Sequence, residues 1–264
     1  MLIKICGITR LADAEAAVEQ GAHALGFVFW ANSPRFIDPY RARAIASALP
    51  PFVTTVGVFV NQRSEYVNGV ATLVGLAAIQ LHGDESPSYV PAMTRPVIKA
   101  IAWGPASEVD GVAAWPLRVT LLLDAHDPVG RGGTGRTIDW ASASTVAAAR
   151  RVVLAGGLTP ENVGEAIERV KPFGIDVSSG VETSPGIKDH GRLKALFEAV
   201  AAAFETPNGP REEQAPAARA RRRREAPRSG AAERERAGVG PREHRKKWQE
   251  GPEGPGRVRR SRIL

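Results

Sequence analysis

The sequence predicts an α/β fold, a (β/α)8 TIM barrel followed by a basic C-terminal tail. Eight short apolar runs alternate with helical patterns, and the runs begin at intervals of 20 to 33 residues. Most runs are continuous in Val, Ile, Leu and Phe rather than alternating, as expected for parallel strands covered on both faces. The predicted strands are 2–5, 24–29, 53–59, 77–81, 97–101, 119–123, 152–155 and 174–177.

Closure into a barrel is favoured over an open sheet by the number of units. Eight βα repeats close a parallel sheet without leaving an edge. A doubly wound sheet usually stops near six strands and carries a glycine fingerprint after the first one. Here the first strand is followed by Cys6-Gly7-Ile8-Thr9, which is no such fingerprint.

Several helices are predicted from their start signals. The pairs Asp38-Pro39, Ser86-Pro87 and Thr159-Pro160 each place a capping oxygen before a proline at the first helical position. The last helix is predicted from an apolar stripe formed by Leu193, Leu196, Phe197, Val200 and Phe204.

Two segments depart from the strand and helix alternation. The long loop 126–136, between the sixth and seventh strands, is rich in glycine in the manner of a mobile active-site loop. Beyond Glu205, Thr206-Pro207-Asn208-Gly209-Pro210 breaks the helix, and residues 211–264 are mostly Arg, Glu, Pro, Gly and Ala. Such a composition buries too little apolar surface to fold. We therefore predict a catalytic domain at 1–205 and a disordered tail at 206–264.

The net charge of +7 comes from the tail. Residues 206–264 hold 17 Lys and Arg against 8 Asp and Glu, whereas the rest of the chain carries a net charge of −2. The basic run 221–224 could contact phosphate backbones, but it lacks interleaved aromatic residues, so nucleic acid is not an expected partner. The basic run is also accounted for by a tail that is merely solvated, or by a tail that is not native coding sequence.

Composition also restricts the cellular setting. The chain has 264 residues, 43% of them hydrophobic, which is enough for a large core. A single cysteine cannot form an internal disulfide, the first residues lead directly into a strand, and no apolar stretch approaches the roughly 20 residues of a membrane helix. We expect a cytoplasmic protein that does not enter the membrane, and the sequence indicates no oligomeric state.

The predicted loops after strands seven and eight indicate a phosphorylated ligand. In a barrel of this kind the reactive groups lie at the carboxyl ends of the strands, and these two loops commonly hold phosphate. Glycines allow backbone N–H groups to approach an anion, and serines add hydroxyl donors. The candidate phosphate-binding residues are Gly156, Gly157, Ser178, Ser179 and Gly180.

Two other strand ends carry groups that can exchange protons. Cys6 ends the first strand and Asp124 ends the sixth, so the two could face one substrate as base and acid. A lone cysteine is more often a small buried apolar residue, and a loop aspartate is often a helix cap. Because a free thiol has a pKa of roughly 8.5, Cys6 needs an electropositive site to act as a thiolate near neutral pH.

Arg35 and His82 are further candidates at strand ends. Arg35 follows the second strand beside aromatic residues and could pair with a ligand carboxylate, although a surface arginine would look the same in sequence. His82 follows the fourth strand, where it could be a substrate-binding residue or a satisfied loop histidine.

The motifs that these residues occupy resemble those of phosphoribosylanthranilate isomerase, a barrel of tryptophan biosynthesis. The resemblance covers residues 1 to about 204. It rests, in family order, on KICGIT at 4–9, GFVF at 26–29, SPR at 33–35, VGVFVN at 56–61, QLHG at 80–83, GGTGRT at 132–137, AGGL at 155–158 and DVSSGVE at 176–182. Nothing in the family pattern accounts for residues 206–264.

The resemblance implies an Amadori rearrangement of N-(5-phosphoribosyl)anthranilate to 1-(2-carboxyphenylamino)-1-deoxyribulose 5-phosphate. It implies that Cys6 is the general base, that Asp124 is the general acid and that Arg35 orients the anthranilate carboxylate. It implies no cofactor and no metal, and the sequence holds no cluster at metal-ligand spacing.

Two rival functions differ in what they require. The related isomerase of histidine biosynthesis uses two aspartates as acid and base, which Cys6 argues against, although acceptance of a second phosphoribosyl substrate stays open. A barrel that mainly binds nucleic acid through its tail would not need the set of candidate catalytic residues.

Overall fold

The chain folds into a closed eight-stranded parallel barrel, which confirms the predicted fold class. The computed structural model describes residues 1–104, 109–125 and 139–205. The strands are hydrogen-bonded in sequence order from β1 to β8, and β8 pairs with β1 to close the barrel. The predicted loop 126–136 and the predicted tail 206–264 lie outside the described residues.

The barrel strands are β1 (Leu2–Cys6), β2 (Ala24–Val28), β3 (Thr54–Phe59), β4 (Ala78–Leu81), β5 (Val97–Trp103), β6 (Thr120–Ala125), β7 (Val152–Leu154) and β8 (Gly174–Val177). The helices are α1 (Leu11–Glu19), α2 (Pro39–Ala48), α3 (Ser64–Val74), α4 (Val109–Ala113), α5 (Trp140–Ala149), α6 (Val163–Val170) and α7 (His190–Glu205). A short hairpin, β9 (Glu182–Ser184) and β10 (Ile187–Lys188), follows β8. Each observed barrel strand ends within two residues of its predicted bounds.

Two of the three predicted caps form, those of Asp38 and Thr159, whereas Ser86 forms none. Asp38 caps α2, because its carboxylate accepts hydrogen bonds from the backbone N–H groups of Tyr40 and Arg41. Ser86-Pro87 instead begins a 3-10 helix (Pro87–Ala92), and the Ser86 hydroxyl bonds to that of Ser88.

Thr159 forms the predicted cap, because its hydroxyl accepts a hydrogen bond from the backbone N–H of Glu161 and its carbonyl accepts one from that of Val163, where α6 begins. The Asn162 side chain completes a capping box. Its Oδ1 accepts from the backbone N–H of Thr159 while its Nδ2 donates to the carbonyl of Gly157. These two bonds tie the turn after β7 to the start of α6.

The last helix, α7, is confirmed, but its predicted apolar stripe is too long. Leu193, Leu196 and Val200 are buried and Phe197 packs against the core. Phe204, in contrast, is 60% exposed, because it lies one residue before the end of the helix.

Alternation along the strands decides which side chains reach the site. Ile3 and Ile5 of β1 pack in the large core between barrel and helices. The intervening positions point into the barrel, where Cys6 packs with Val28 and Val58 in the cluster nearest the carboxyl ends of the strands. Lys4 and Cys6 therefore share the inner face of β1. In the described ranges no helix is long and apolar enough to span a bilayer.

Candidate active site

A cavity of about 380 Å³ opens at the carboxyl ends of the strands and brings together most of the predicted site residues. It is lined by both candidate catalytic side chains, Cys6 and Asp124. Six of the seven candidate binding residues line it as well: Arg35, His82, Gly156, Gly157, Ser178 and Ser179. Trp30 and Pro34 add an apolar wall on the side of Arg35.

Cys6 is fixed in the wall of this cavity by hydrogen bonds to its backbone carbonyl. The carbonyl oxygen of Cys6 accepts a hydrogen bond of 3.1 Å from the Ser178 hydroxyl and one of 2.5 Å from Lys188 Nζ. The residue is 8% exposed. A cysteine that ends the first strand is expected at the rim of the fold; the structure buries this thiol but leaves it bordering the cavity.

Burial raises the pKa of the Cys6 thiol, and neighbouring charges modify that effect. The ammonium of Lys4 opposes the rise. The carboxylate of Asp176 adds to the rise, and Lys188 opposes it. The thiol form is therefore favoured, and the largest stabilising charge for a thiolate is that of a lysine, Lys4.

Asp124 is connected to His82 and Gln80 by a chain of hydrogen bonds. The Gln80 amide nitrogen lies 2.9 Å from His82 Nδ1, and His82 Nε2 lies 3.1 Å from Asp124 Oδ2. Because an amide NH2 group only donates, Nδ1 of His82 accepts and Nε2 carries the proton. The ring thus donates to Asp124 and holds its carboxyl group at the cavity wall.

Arg35 is held by a buried carboxylate. Its Nε lies 3.0 and 3.1 Å from the two carboxylate oxygens of Glu182, and its Nη2 lies 2.7 Å from Oε2. Lys188 Nζ lies 2.7 Å from Glu182 Oε1. Arg35 and Lys188 hold the pKa of Glu182 below its usual value even though burial acts to raise it. The guanidinium therefore has a fixed orientation before any ligand is present.

The two glycine-rich loops lie against one another. Gly156 and Gly157 have φ angles of 82° and 64°, a region in which other residues are strained. A Cβ on Gly180 would overlap the carbonyl oxygen of Leu158. Gly180 thus packs behind the loop that follows β7 and is absent from the described cavity lining, whereas Ser178 and Ser179 border the cavity.

Sequence reasoning missed the ionised groups that surround the candidate residues. Lys4 pairs with Asp176 at 2.8 Å, and both side chains are buried. In the sequence Asp176 and Glu182 stand out only as part of the motif at 176–182, and no pattern points to Lys188. The one signal available in the sequence was the i, i+2 spacing of Lys4 and Cys6, which places both on one face of a strand.

A closed barrel whose mouth presents a thiol, a carboxyl group and two glycine-rich loops in one cavity defines a (β/α)8-barrel enzyme. A family model described as N-(5'phosphoribosyl)anthranilate (PRA) isomerase matches residues 3–199. The chain belongs to this family.

Individual relatives agree with the family match. The N-(5'-phosphoribosyl)anthranilate isomerase of Geobacter sulfurreducens is 50% identical over 195 residues, which are 74% of this chain and 96% of that protein. The crystal structure of phosphoribosyl anthranilate isomerase from Thermotoga maritima has a TM-score of 0.70 at 45% identity, covering 76% of this chain and 99% of that one.

A further similar structure is a phosphoribosyl anthranilate isomerase in complex with reduced 1-(o-carboxyphenylamino)-1-deoxyribulose 5-phosphate. It has a TM-score of 0.67 at 43% identity and covers 76% of this chain and all of that one. A relative of this fold and similarity thus binds an anionic, phosphorylated ligand.

Proposed function

We propose that this cavity catalyses the Amadori rearrangement of N-(5-phosphoribosyl)anthranilate to 1-(2-carboxyphenylamino)-1-deoxyribulose 5-phosphate, with Cys6 as base and Asp124 as acid. The reaction is the isomerisation step of tryptophan biosynthesis. The observation that carries the proposal is that one cavity is lined by Cys6, Asp124, Arg35 and both glycine-rich loops. A substrate with a phosphate at one end and a carboxylate at the other would lie across the two proton-transferring groups.

Asp124 begins the reaction by protonating the ring oxygen of the ribose. The bond between this oxygen and C1 breaks, and the nitrogen lone pair forms the C1=N bond of a Schiff base. The His82 N–H that faces Asp124 Oδ2 then stabilises the carboxylate left behind. His82 also borders the cavity, where its ring would contact the substrate beside the reacting atoms.

Cys6 carries out the second proton transfer. Its thiolate removes the proton from C2, and the electrons of the C–H bond form the C1=C2 bond of an enolamine while the C1=N π electrons return to nitrogen as a lone pair. The enolamine gains a proton at C1 and loses one from the C2 hydroxyl, which gives the ketone. The cycle closes when Cys6 has released a proton and Asp124 has regained one, so the reaction consumes nothing.

Arg35 and the loops would bind the two ends of the substrate. Glu182 occupies Nε and Nη2 of Arg35, and the remaining N–H groups of the guanidinium are suited to the anthranilate carboxylate. Trp30 would lie beside the aromatic ring. The backbone N–H groups around Gly156, Gly157, Ser178 and Ser179 would hold the phosphate, with Gly180 keeping the two loops in contact.

Arg35→Ala is expected to weaken substrate binding more than it slows the chemical step. Loss of a charged hydrogen bond costs about 1.5 to 3 kcal/mol, so KM should rise roughly ten- to hundredfold with a smaller change in kcat. Arg35→Lys, which keeps the charge and loses the planar fork, should give an intermediate KM. Steady-state kinetics measures both. A normal KM combined with a large fall in kcat would mean that Arg35 does not bind the carboxylate.

The activity itself is tested by the loss of fluorescence when enzymatically generated phosphoribosylanthranilate turns over. We expect equal turnover from the full chain and from a chain truncated after Glu205, since the family match ends at residue 199 and the catalytic domain is proposed to be 1–205. Conversion of the aminoimidazole substrate of histidine biosynthesis with no turnover of phosphoribosylanthranilate would contradict the proposal. We also propose a cytoplasmic setting, in which the thiol of Cys6 stays reduced.

A further inference from the structure

The side chain of Lys4 lies inside the barrel beside the thiol of Cys6. We propose that Lys4 is a positioning residue of the reaction, whose buried ammonium is the counter-ion of the Cys6 thiolate and is itself held by Asp176. The inference rests on the proposed role of Cys6 as the base. The charge of Lys4 would then allow the buried thiol of Cys6 to ionise.

The backbone of the barrel brings the ammonium and the sulfur together. Lys4 and Cys6 are two residues apart on β1 and share its inner face, and Gly26 of the neighbouring strand is the register partner of Cys6. A Cβ on Gly26 would lie 2.7 Å from Cys6 Sγ and 3.1 Å from Lys4 Nζ. Both atoms therefore occupy the space that a side chain at residue 26 would fill. The absence of that side chain allows the ammonium to reach the sulfur.

Burial gives this contact its strength. Lys4 is 2% exposed, and its Nζ lies 2.8 Å from Asp176 Oδ2. A buried ammonium requires hydrogen-bond acceptors for its three N–H groups, and the carboxylate of Asp176 supplies one of them. Although burial lowers the pKa of Lys4, the charges of Asp176 and Cys6 outweigh it and raise that pKa, so Lys4 stays protonated.

The other charged groups around Cys6 are occupied by other partners. Lys188 reaches the carbonyl oxygen of Cys6, not its sulfur, and also bonds to the Ser178 carbonyl and to Glu182. Arg35 is bound by Glu182, and on β6 Asp124 is bound to His82. Within the described part of the chain, Lys4 is the cation whose charge most favours the thiolate.

The arrangement predicts opposite effects for the two members of the pair. The ammonium of Lys4 favours the thiolate, whereas the carboxylate of Asp176 disfavours it by like charge and by neutralising Lys4. Removing the lysine should therefore raise the pKa of Cys6, and removing the aspartate charge should lower it. A purely structural role for the pair would not produce shifts of opposite sign.

The test uses the fact that Cys6 is the only cysteine in the chain. The pH dependence of its alkylation by iodoacetamide is measured for the full-length wild type, Lys4→Met, Asp176→Asn and the double variant. The matched control is Lys99→Met, which removes a buried lysine that pairs with Glu85 and is not among the main charges that act on Cys6. Thermal unfolding establishes that each variant is folded, and the pH dependence of kcat is recorded in parallel.

The alkylation midpoint of Lys4→Met should rise by about one to three pH units, the range by which a nearby opposite charge shifts a pKa. At pH 7 this slows alkylation about ten- to a thousandfold. The midpoint should fall in Asp176→Asn, lie between those of wild type and Lys4→Met in the double variant, and stay at the wild-type value in Lys99→Met. In each variant the acid limb of the pH profile of kcat should shift by the same amount as the alkylation midpoint.

A wild-type midpoint in folded Lys4→Met would overturn the inference, and so would a midpoint in Asp176→Asn that is unchanged or raised. If Lys4→Met fails to fold, the direction in which the alkylation midpoint shifts in Asp176→Asn still decides whether the inference holds. If the midpoints shift as expected but the kcat profile does not follow them, the ion pairing stands and the proposed role of Cys6 as base fails.

Discussion

Cys6→Ala is expected to retain only about 0.01 to 1% of wild-type kcat, because general acid or base catalysis by a positioned side chain contributes roughly 10²- to 10⁴-fold. The thiolate removes the C2 proton, and no other group of the described cavity lining lies on β1 to replace it. Binding of a reduced product analogue should change little, since the proposed phosphate and carboxylate contacts do not involve the sulfur. Fluorescence kinetics gives kcat, and isothermal titration with the analogue gives Kd.

Cys6→Ser is the matched control for this experiment. Serine fills nearly the same space beside Gly26 but its hydroxyl does not ionise near neutral pH, so it should be about as inactive as alanine. Activity in Cys6→Ser with none in Cys6→Ala would mean that packing, not basicity, is the contribution of residue 6. Turnover of Cys6→Ala within a few-fold of wild type would remove the base assignment altogether.

Asp124→Asn is expected to lose a similar fraction of kcat, again about 10²- to 10⁴-fold, while KM changes little. An asparagine oxygen can still accept the hydrogen bond from His82 Nε2, so the shape of the site and its contact with His82 are retained. What is lost is the ability to donate a proton to the ribose ring oxygen. Steady-state kinetics and thermal unfolding together separate this effect from a loss of stability.

Asp124→Ala provides the comparison, because it removes the hydrogen-bond acceptor as well as the acid. If proton donation is the role of Asp124, the alanine and asparagine variants should have similar kcat values. Near-wild-type turnover in Asp124→Asn alone would show that the residue acts by accepting a hydrogen bond. In that case the ring-opening acid would have to be a different group.

The strands were predictable because their signal is local. A buried parallel strand is a short apolar run, and each of the eight runs was recognised within two residues of its observed bounds. Cys6 and Asp124 could be selected for a related reason, since a polar residue that ends such a run lies at the mouth of the barrel. Helix starts were less certain. At Thr159 the predicted cap forms, but residues 160–162 make a turn and the regular helix begins at Val163.

The charged partners of the candidate residues could not be predicted in this way. Arg35 was expected to be available for a ligand, yet Glu182, 147 residues away in sequence, already holds two of its nitrogens. Lys4 is joined to Asp176 across 172 residues. Such pairs depend on which strand ends face each other and on how deeply each charge is buried, and neither is encoded in local spacing.

The amino-acid sequence therefore decides the alternation of strand and helix, and with it the end of the barrel at which the chemistry lies. The environment of each reactive group is decided by the closed barrel. Because β8 returns to pair with β1, Asp176 comes to lie beside Lys4, Lys188 reaches the carbonyl oxygen of Cys6, and all four residues are buried. In that low-dielectric interior a charge a few ångströms away changes the ionisation of a thiol, whereas the same residues in an open chain would be screened by solvent.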